Sequence, residues 1–268
     1  MSSQQKRTSA SARRARRAAD RQAAAAGGGR GPTPARTGPS PILLITAIVG
    51  GLGIVLLGAL ILLGGGQTKA DTATLTTPTT PTPLALADGR SLWKTEAPVT
   101  LEVWTDFQCP ICGQYARTVE PLLISKYVTP GTLRIVHHDA AFQGAKSSSP
   151  YDESVEAAAG ARCAADQGGY WPFQDWAFAN QSGENAGAFA APRLTSIASA
   201  AGLDVTAWKA CVATGDQQAA ARAETSQAVA AGVNATPTMK INGQVIVGLR
   251  SVEELSSLID AAAAAKGG

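Results

Sequence analysis

Hydrophobic and polar residues change their pattern several times along the chain, and each change predicts a different kind of structure. Between Ile42 and Leu63 the run ILLITAIVGGLGIVLLGALILL carries no charge over 22 residues. At ~1.5 Å per residue, a helix of that length crosses the ~30 Å hydrocarbon layer of a bilayer. A buried helix of a soluble domain would show a polar stripe, and a cleaved signal peptide would have a shorter apolar core with a small-residue cleavage site. The run therefore reads as a transmembrane helix over residues 42–63. Residues 64–91 are rich in Thr, Pro and Gly and poor in large apolar side chains, the composition of an extended linker.

The pattern of a folded domain begins near Leu92. PVTLEVWTDF (98–107) has the β-branched and aromatic content of a strand. A helix should follow over CPICGQYARTVEPLLISKYV, with Pro110 in its first turn, where a missing N–H costs nothing. TLRIVHHD (132–139) reads as a second strand, and because a helix separates the two, parallel pairing is favoured. From Ser154 to about Ala230 the chain turns Ala-rich, with Trp208, Cys211 and Val212 at i, i+3 and i+4, which predicts several short helices as an insertion over about 150–230. TMKINGQVIV (238–247) contains the Asn-Gly pair that a tight type I′ hairpin demands. Ser251 and Glu254 form a capping box ahead of Leu255, Leu258 and Ile259, so an amphipathic helix should close the chain. The order β, α, β, helices, β, β, α describes an α/β domain over residues 92–268.

Charge sharpens the topology. The whole chain is +3, yet residues 1–40 hold nine Lys or Arg against Asp20 alone, a segment of +8 that leaves −5 for the rest. This basic tail, residues 1–41, lacks the interleaved aromatics of a nucleic-acid arm and leads straight into the apolar run, so a bilayer rather than nucleic acid is the expected partner. Arginines before the span and few basic residues after it predict a disordered cytoplasmic tail, a single-pass helix and an extracytoplasmic domain.

Four cysteines supply the candidate chemistry: Cys109, Cys112, Cys163 and Cys211. A zinc site needs four convergent ligands, and neither His137 nor His138, the only histidines, has metal-motif spacing to a cysteine, so no metal is expected. A staple from Cys109 to Cys112 would close too small a loop, whereas wide loops contribute about 3–5 kcal/mol. A redox pair explains the arrangement better. The first cysteine of a strand-to-helix CxxC sits where unpaired N–H groups and the helix dipole stabilise a thiolate, so Cys109 attacks and Cys112 resolves. Cys163 and Cys211, 48 residues apart, are expected to form a structural disulfide outside the cytoplasm; two free buried thiols are the alternative.

Glu102 and Asp106 flank the cysteines, and either is a candidate proton relay for Cys112. Asp106 equally reads as a turn or cap residue, and Glu102 as solvent-facing. His137 and His138, adjacent in a strand, should point to opposite faces. Trp104, Trp171 and Phe173 read as core, and Thr105 and Gln108 as neighbours of a bound substrate.

Three motifs in order, DFQCPIC, AAAGARCAADQGGYWPFQDWAFANQ (157–181) and GVNATPTMKINGQVIVG (232–248), make residues 96–262 resemble the DsbA-like branch of the thioredoxin fold, of the membrane-tethered bacterial kind. The resemblance implies a thioredoxin fold with a helical insertion and a thiol:disulfide oxidoreductase without a bound cofactor. It makes Thr236-Pro237 a cis-proline loop that presents backbone to an extended substrate. It also implies reduced or unfolded secreted proteins as substrates and a membrane redox partner of the DsbB or VKOR type. Pro110-Ile111 departs from the Pro-His of the best-known oxidant. Oxidase is the first expectation, with reductase or isomerase as alternatives and a non-catalytic chaperone or binding module as the third.

Overall fold

The computed structural model describes residues 75–93, 96–146 and 148–267. The tail and the membrane helix expected over residues 1–41 and 42–63 lie outside the described residues. Among the described residues, no helix is long and apolar enough to cross a membrane.

Among the described residues the sheet has six strands, in the order β1 (Ala87–Asp88), β2 (Ser91–Leu92), β4 (Leu133–Asp139), β3 (Val99–Thr105), β5 (Thr238–Ile241) and β6 (Gln244–Val247). β3 (Val99–Thr105) and β4 (Leu133–Asp139) pair in parallel at its centre, with Val103 opposite His137 and Thr105 opposite Asp139. On both strands buried residues alternate with half-buried ones, so Val99, Leu101, Val103 and Thr105 share the fully buried face with Leu133, Ile135, His137 and Asp139. β5 (Thr238–Ile241) and β6 (Gln244–Val247) extend the other edge as an antiparallel hairpin. Its turn uses Asn242 at φ 44° and Gly243 at φ 98°, the double positive φ for which Asn-Gly is chosen.

Between β3 and β4 the connecting helix is not uniformly α. α1 (Pro110–Gln114) and α2 (Glu120–Leu123) alternate with π-helical turns at Tyr115–Val119 and Ile124–Val128. The insertion consists of α3 (Glu153–Ala165), α4 (Tyr170–Ala179), α5 (Ala191–Ala200), α6 (Val205–Ala213) and α7 (Asp216–Ala230). α8 (Val252–Gly267) closes the chain against β3 and β5, and its Ser251 hydroxyl accepts from the Glu254 N–H at 3.2 Å. Trp171, Phe173, Phe178, Phe189 and Leu194 bring the insertion into one continuous core with the sheet.

Two devices fasten the insertion. Cys163 on α3 and Cys211 on α6 are joined by a disulfide. On the sheet side, Glu224 of α7 binds Arg162 of α3, Arg90 at 2.7 Å and His138 Nδ1 at 2.9 Å, while Arg162 Nε reaches Asp139 at 2.5 Å. The hydrogen bonds from His138 and Arg90, with the two guanidinium charges, outweigh burial and hold Glu224 well below the usual carboxylate range. Asp139, more deeply buried, is instead pushed up to about 6 by desolvation despite its arginines.

The structure corrects the linker boundary. From Leu75 on, the segment expected to be an extended tether up to residue 91 belongs to the domain. Asn180 accepts from Thr76 N at 2.8 Å and donates to Thr76 O at 2.9 Å, and Asp175 accepts from Thr82 N and Thr82 Oγ1 at 2.7 and 3.0 Å. β1 (Ala87–Asp88) and β2 (Ser91–Leu92) then add an antiparallel ribbon to β4. Thr and Pro composition is equally suited to a free chain and to a docked extended strap, and side chains distant in sequence decide between them here.

Candidate active site

The strand β3 ends at Thr105, and the next four residues turn the chain into α1. Cys109 N–H donates to Asp106 O at 3.0 Å to close that turn, and Cys109 is the N-cap, with φ −69° and ψ 119°. Pro110 takes the first helical position, where no N–H is needed. Cys112 follows one turn later, fully buried, while Cys109 is 4% exposed at the surface beside Ile111, itself 44% exposed. Both cysteines are free thiols in this structure.

Across from Cys109 lies the segment before β5. The Thr236-Pro237 peptide bond is cis, and the Cys109 thiol donates to Thr236 O at 3.4 Å. On its other side the Pro237 carbonyl accepts from Gly248 N–H at 2.8 Å, which ties this segment to the end of the hairpin.

The two sulfurs are polarised in opposite senses. A hydrogen bond from the Cys112 thiol, helped by the Thr236 side chain and by the backbone of Cys112 and Ile111, lowers Cys109 to about 6 against the opposing effect of burial. Burial raises Cys112 well above the ordinary thiol range, and the hydrogen bond and charge of Cys109 push it further. At neutral pH Cys109 is therefore mainly a thiolate and Cys112 a thiol, the division of labour that thiol exchange requires.

The loop carrying Cys109 is held by side chains from the insertion. Asp106 is buried, and its carboxylate accepts from Gln108 N, Gln143 N and Ser154 Oγ, each at 2.8 Å. Desolvation pushes this carboxyl up to about 6 although those donors oppose it. Gln108, expected beside substrate, is instead buried, donating to Ser154 Oγ at 2.8 Å and accepting from Asn185 N at 2.5 Å. Gln181 donates to Phe107 O at 2.6 Å and Cys109 O at 3.0 Å. Gly113 makes room for it: a Cβ there would lie 1.9 Å from Gln181 Oε1.

Of the residues singled out from sequence, Cys109, Cys112, Thr236 and Pro237 converge. Asp106 joins them as a turn residue that acts on Cys112 through its backbone N–H. Glu102 does not reach the sulfurs. It occupies the half-buried face of β3, 3.4 Å from His138 Nε2. Thr105 is buried, and Trp104 stacks on His138 at 4.7 Å rather than entering the core with Trp171 and Phe173. Cys163 and Cys211 lie apart, in the insertion. Among the described residues, no group of three or more His, Cys, Asp or Glu side chains is placed to hold a metal. Gln181, Asn185 and Ser154 escape a sequence reading because they contact the loop only through tertiary packing.

A family model described as thioredoxin matches residues 88–261, nearly two thirds of the chain. The chain belongs to the thioredoxin family. A probable disulfide bond formation protein D of Bacillus cereus is 33% identical over 98 residues, 36% of this chain and 43% of that protein. A Na(+)/H(+) antiporter NhaA 1 of Salinispora arenicola is 31% identical over 174 residues, 62% of this chain but 24% of the antiporter. The chain thus matches about a quarter of the one relative and two fifths of the other. The crystal structure of oxidised BdbD from Bacillus subtilis superposes with a TM-score of 0.59 at 18% identity, covering 70% of this chain and 99% of that one. The fold of this thioredoxin-family chain is accordingly of the DsbA-like type, with a helical insertion.

Proposed function

We propose that this protein is a thiol:disulfide oxidoreductase that donates disulfides to secreted or surface proteins through Cys109 and Cys112. The observation that carries the reading is the opposite polarisation of the two sulfurs at a helix N-terminus facing a cis-proline. Client thiolate attacks Cys109 Sγ in the disulfide form, Cys112 leaves, and a second client thiol displaces Cys109 to close the client disulfide. A Cys109 held at about 6 leaves readily from that mixed disulfide, which favours donation over reduction. Similarity to a disulfide bond formation protein supports the same chemistry.

The apolar run over residues 42–63 and the basic tail before it support a single-pass anchor with the redox domain outside the cytoplasm. In that setting the dithiol is returned to the disulfide by a membrane partner of the DsbB or VKOR type, and Cys163 and Cys211 provide a structural disulfide. The deciding measurement is the reduction potential of the Cys109/Cys112 pair in the full chain. A value near about −120 mV supports a disulfide donor, and one near about −270 mV would overturn that direction in favour of a reductase. Unchanged function in a Cys109→Ser protein would overturn the catalytic reading altogether.

A further inference from the structure

Beneath the active-site helix lies a set of buried polar groups that disulfide exchange, as derived above, does not use. His137 Nε2 and Glu120 Oε1 are 2.6 Å apart, and Gln174 Nε2 donates to Glu120 Oε2 at 3.0 Å. Glu120, His137 and Gln174 are each at most 2% exposed. Burying a carboxylate carries a desolvation cost that its two hydrogen bonds must offset.

Their position suggests a purpose. Cys112 and Tyr115 are three residues apart on the helix and therefore neighbours on one face. The π-helical turn then sets Glu120 over Tyr115, because the Glu120 N–H bonds to the Tyr115 carbonyl five residues back. Tyr115 is fully buried, and its hydroxyl lies within electrostatic reach of both the Cys112 sulfur and the Glu120 carboxylate, without a hydrogen bond of good geometry to either. His137 stands opposite Val103 on the neighbouring strand, on the same buried face. The two carboxylates nearest the cysteines in sequence do not fill this role: Glu102 is on the other face and the oxygens of Asp106 are engaged by the loop.

We propose that Tyr115, Glu120 and His137 form the proton relay of Cys112, with the Tyr115 hydroxyl as the link and the Glu120–His137 pair as the store. This rests on the dithiol exchange reading above and deepens it. When client thiolate attacks Cys109 Sγ, the client–Cys109 bond forms, the Cys109–Cys112 bond breaks, and the electron pair leaves on Cys112. Tyr115 gives its proton to that sulfur and takes one from the Glu120–His137 pair, so the buried negative charge moves from sulfur to the pair rather than being created twice. In the reverse direction the Cys112 thiol passes its proton through Tyr115 to Glu120 and attacks the mixed disulfide. The groups within electrostatic reach of the pair are Tyr115 from the helix and Tyr170 and Asp175 from α4, with Gln174 bonded to Glu120 and Asp139 two residues along β4 on the same buried face. Tyr170 and Trp171 close it from solvent with their rings 6.1 and 5.0 Å from His137.

The test separates the two steps. The reduced full-length chain is mixed with glutathione disulfide and quenched in acid at intervals, from pH 5 to 8. Attack of Cys109, which forms the glutathione mixed disulfide, reports the exchange chemistry. Release of glutathione by Cys112 reports the relay. In Glu120→Gln and Tyr115→Phe the first step should keep its wild-type rate. The second should slow about 100-fold at pH 7, the scale of general acid–base catalysis, and should rise about tenfold per pH unit as hydroxide replaces the relay. Tyr115→Phe removes one hydroxyl without a hydrogen bond, so it tests the proposal even where Glu120→Gln fails to fold. A second step with wild-type rate and pH profile in Tyr115→Phe overturns the relay, whereas loss of the first step in wild type would overturn the exchange reading itself.

Discussion

Replacing Cys112 with alanine isolates the interaction that makes Cys109 a thiolate. The largest influence lowering Cys109 to about 6 is the hydrogen bond from the Cys112 thiol, ahead of Thr236 and the helix N–H groups. A hydrogen bond to a charged group is worth about 1.5–3 kcal/mol, and each pKa unit corresponds to about 1.4 kcal/mol. Losing it should move Cys109 up by about one to two units, to about 7 to 8. At pH 7 the reduced protein then falls from about ten thiolates per thiol to about one or fewer. The titration is followed by thiolate absorbance at 240 nm, and alkylation by iodoacetamide at fixed pH gives an independent value.

Cys112→Ser is the control, because a hydroxyl of nearly the same reach can still donate, and its midpoint should stay within about half a unit of wild type. A Cys112→Ala midpoint that remains at about 6 would refute the reasoning. The helix N-terminus and the Thr236 loop would then hold the thiolate without the second cysteine.

Further outcomes follow from the same geometry. Relative to the disulfide form, the dithiol form should gain stability as pH rises from about 6 to 9, because the folded state holds Cys109 below its unfolded value, and should lose it above 9, where the raised Cys112 keeps a proton that the unfolded chain releases; urea unfolding of both forms across pH checks this, and a flat difference contradicts it. Replacing Cys163 and Cys211 together with alanine opens a 48-residue loop and should cost about 4 kcal/mol on the chain-entropy account, read as a shift of the urea midpoint with the Cys109 titration unchanged. Glu224→Gln leaves Arg90, Arg162 and His138 without their shared anion and should cost about 3 kcal/mol, loosening α7 from β4 as seen by amide exchange. Gln181→Ala frees two loop carbonyls and should destabilise the reduced protein by about 1–3 kcal/mol, while the same substitution at exposed Gln227 should be neutral.

What could be read along the chain was what depends on neighbours in sequence. The hairpin followed from Asn242-Gly243, which accommodate the positive φ values of the turn, and the placing of Cys109 at a helix start with Cys112 one turn on followed from Pro110 and the CxxC spacing at a strand end. The opposite faces of His137 and His138 followed from strand alternation. Glu120 did not, because five residues along a regular α-helix turn it away from Tyr115, and the π-helical turn at Tyr115–Val119 instead bonds its N–H to the Tyr115 carbonyl. Likewise Thr76 and Thr82 carry the composition of a free linker, and their binding to Asn180 and Asp175 joins positions 104 and 93 residues apart.

The same distinction explains where the site is controlled. A CxxC at a helix N-terminus needs only local geometry to be reactive, and that part lies within residues 105–112. Holding Cys109 in register with Thr236 needs the loop fixed from outside, and its fixings are side chains of the insertion: Ser154 on Asp106, Asn185 on Gln108, and Gln181 on the carbonyls of Phe107 and Cys109. The insertion is itself fastened to the sheet through Arg162, Glu224 and Asp139 and closed internally by Cys163 and Cys211. A strain applied to α3 or α7 therefore reaches Cys109 through two layers of hydrogen bonds. Substitutions at Glu224 should consequently alter the Cys109 titration only if they also release Ser154, whereas Ser154→Ala, which removes the hydroxyl bonded to both Asp106 oxygens, should shift it directly.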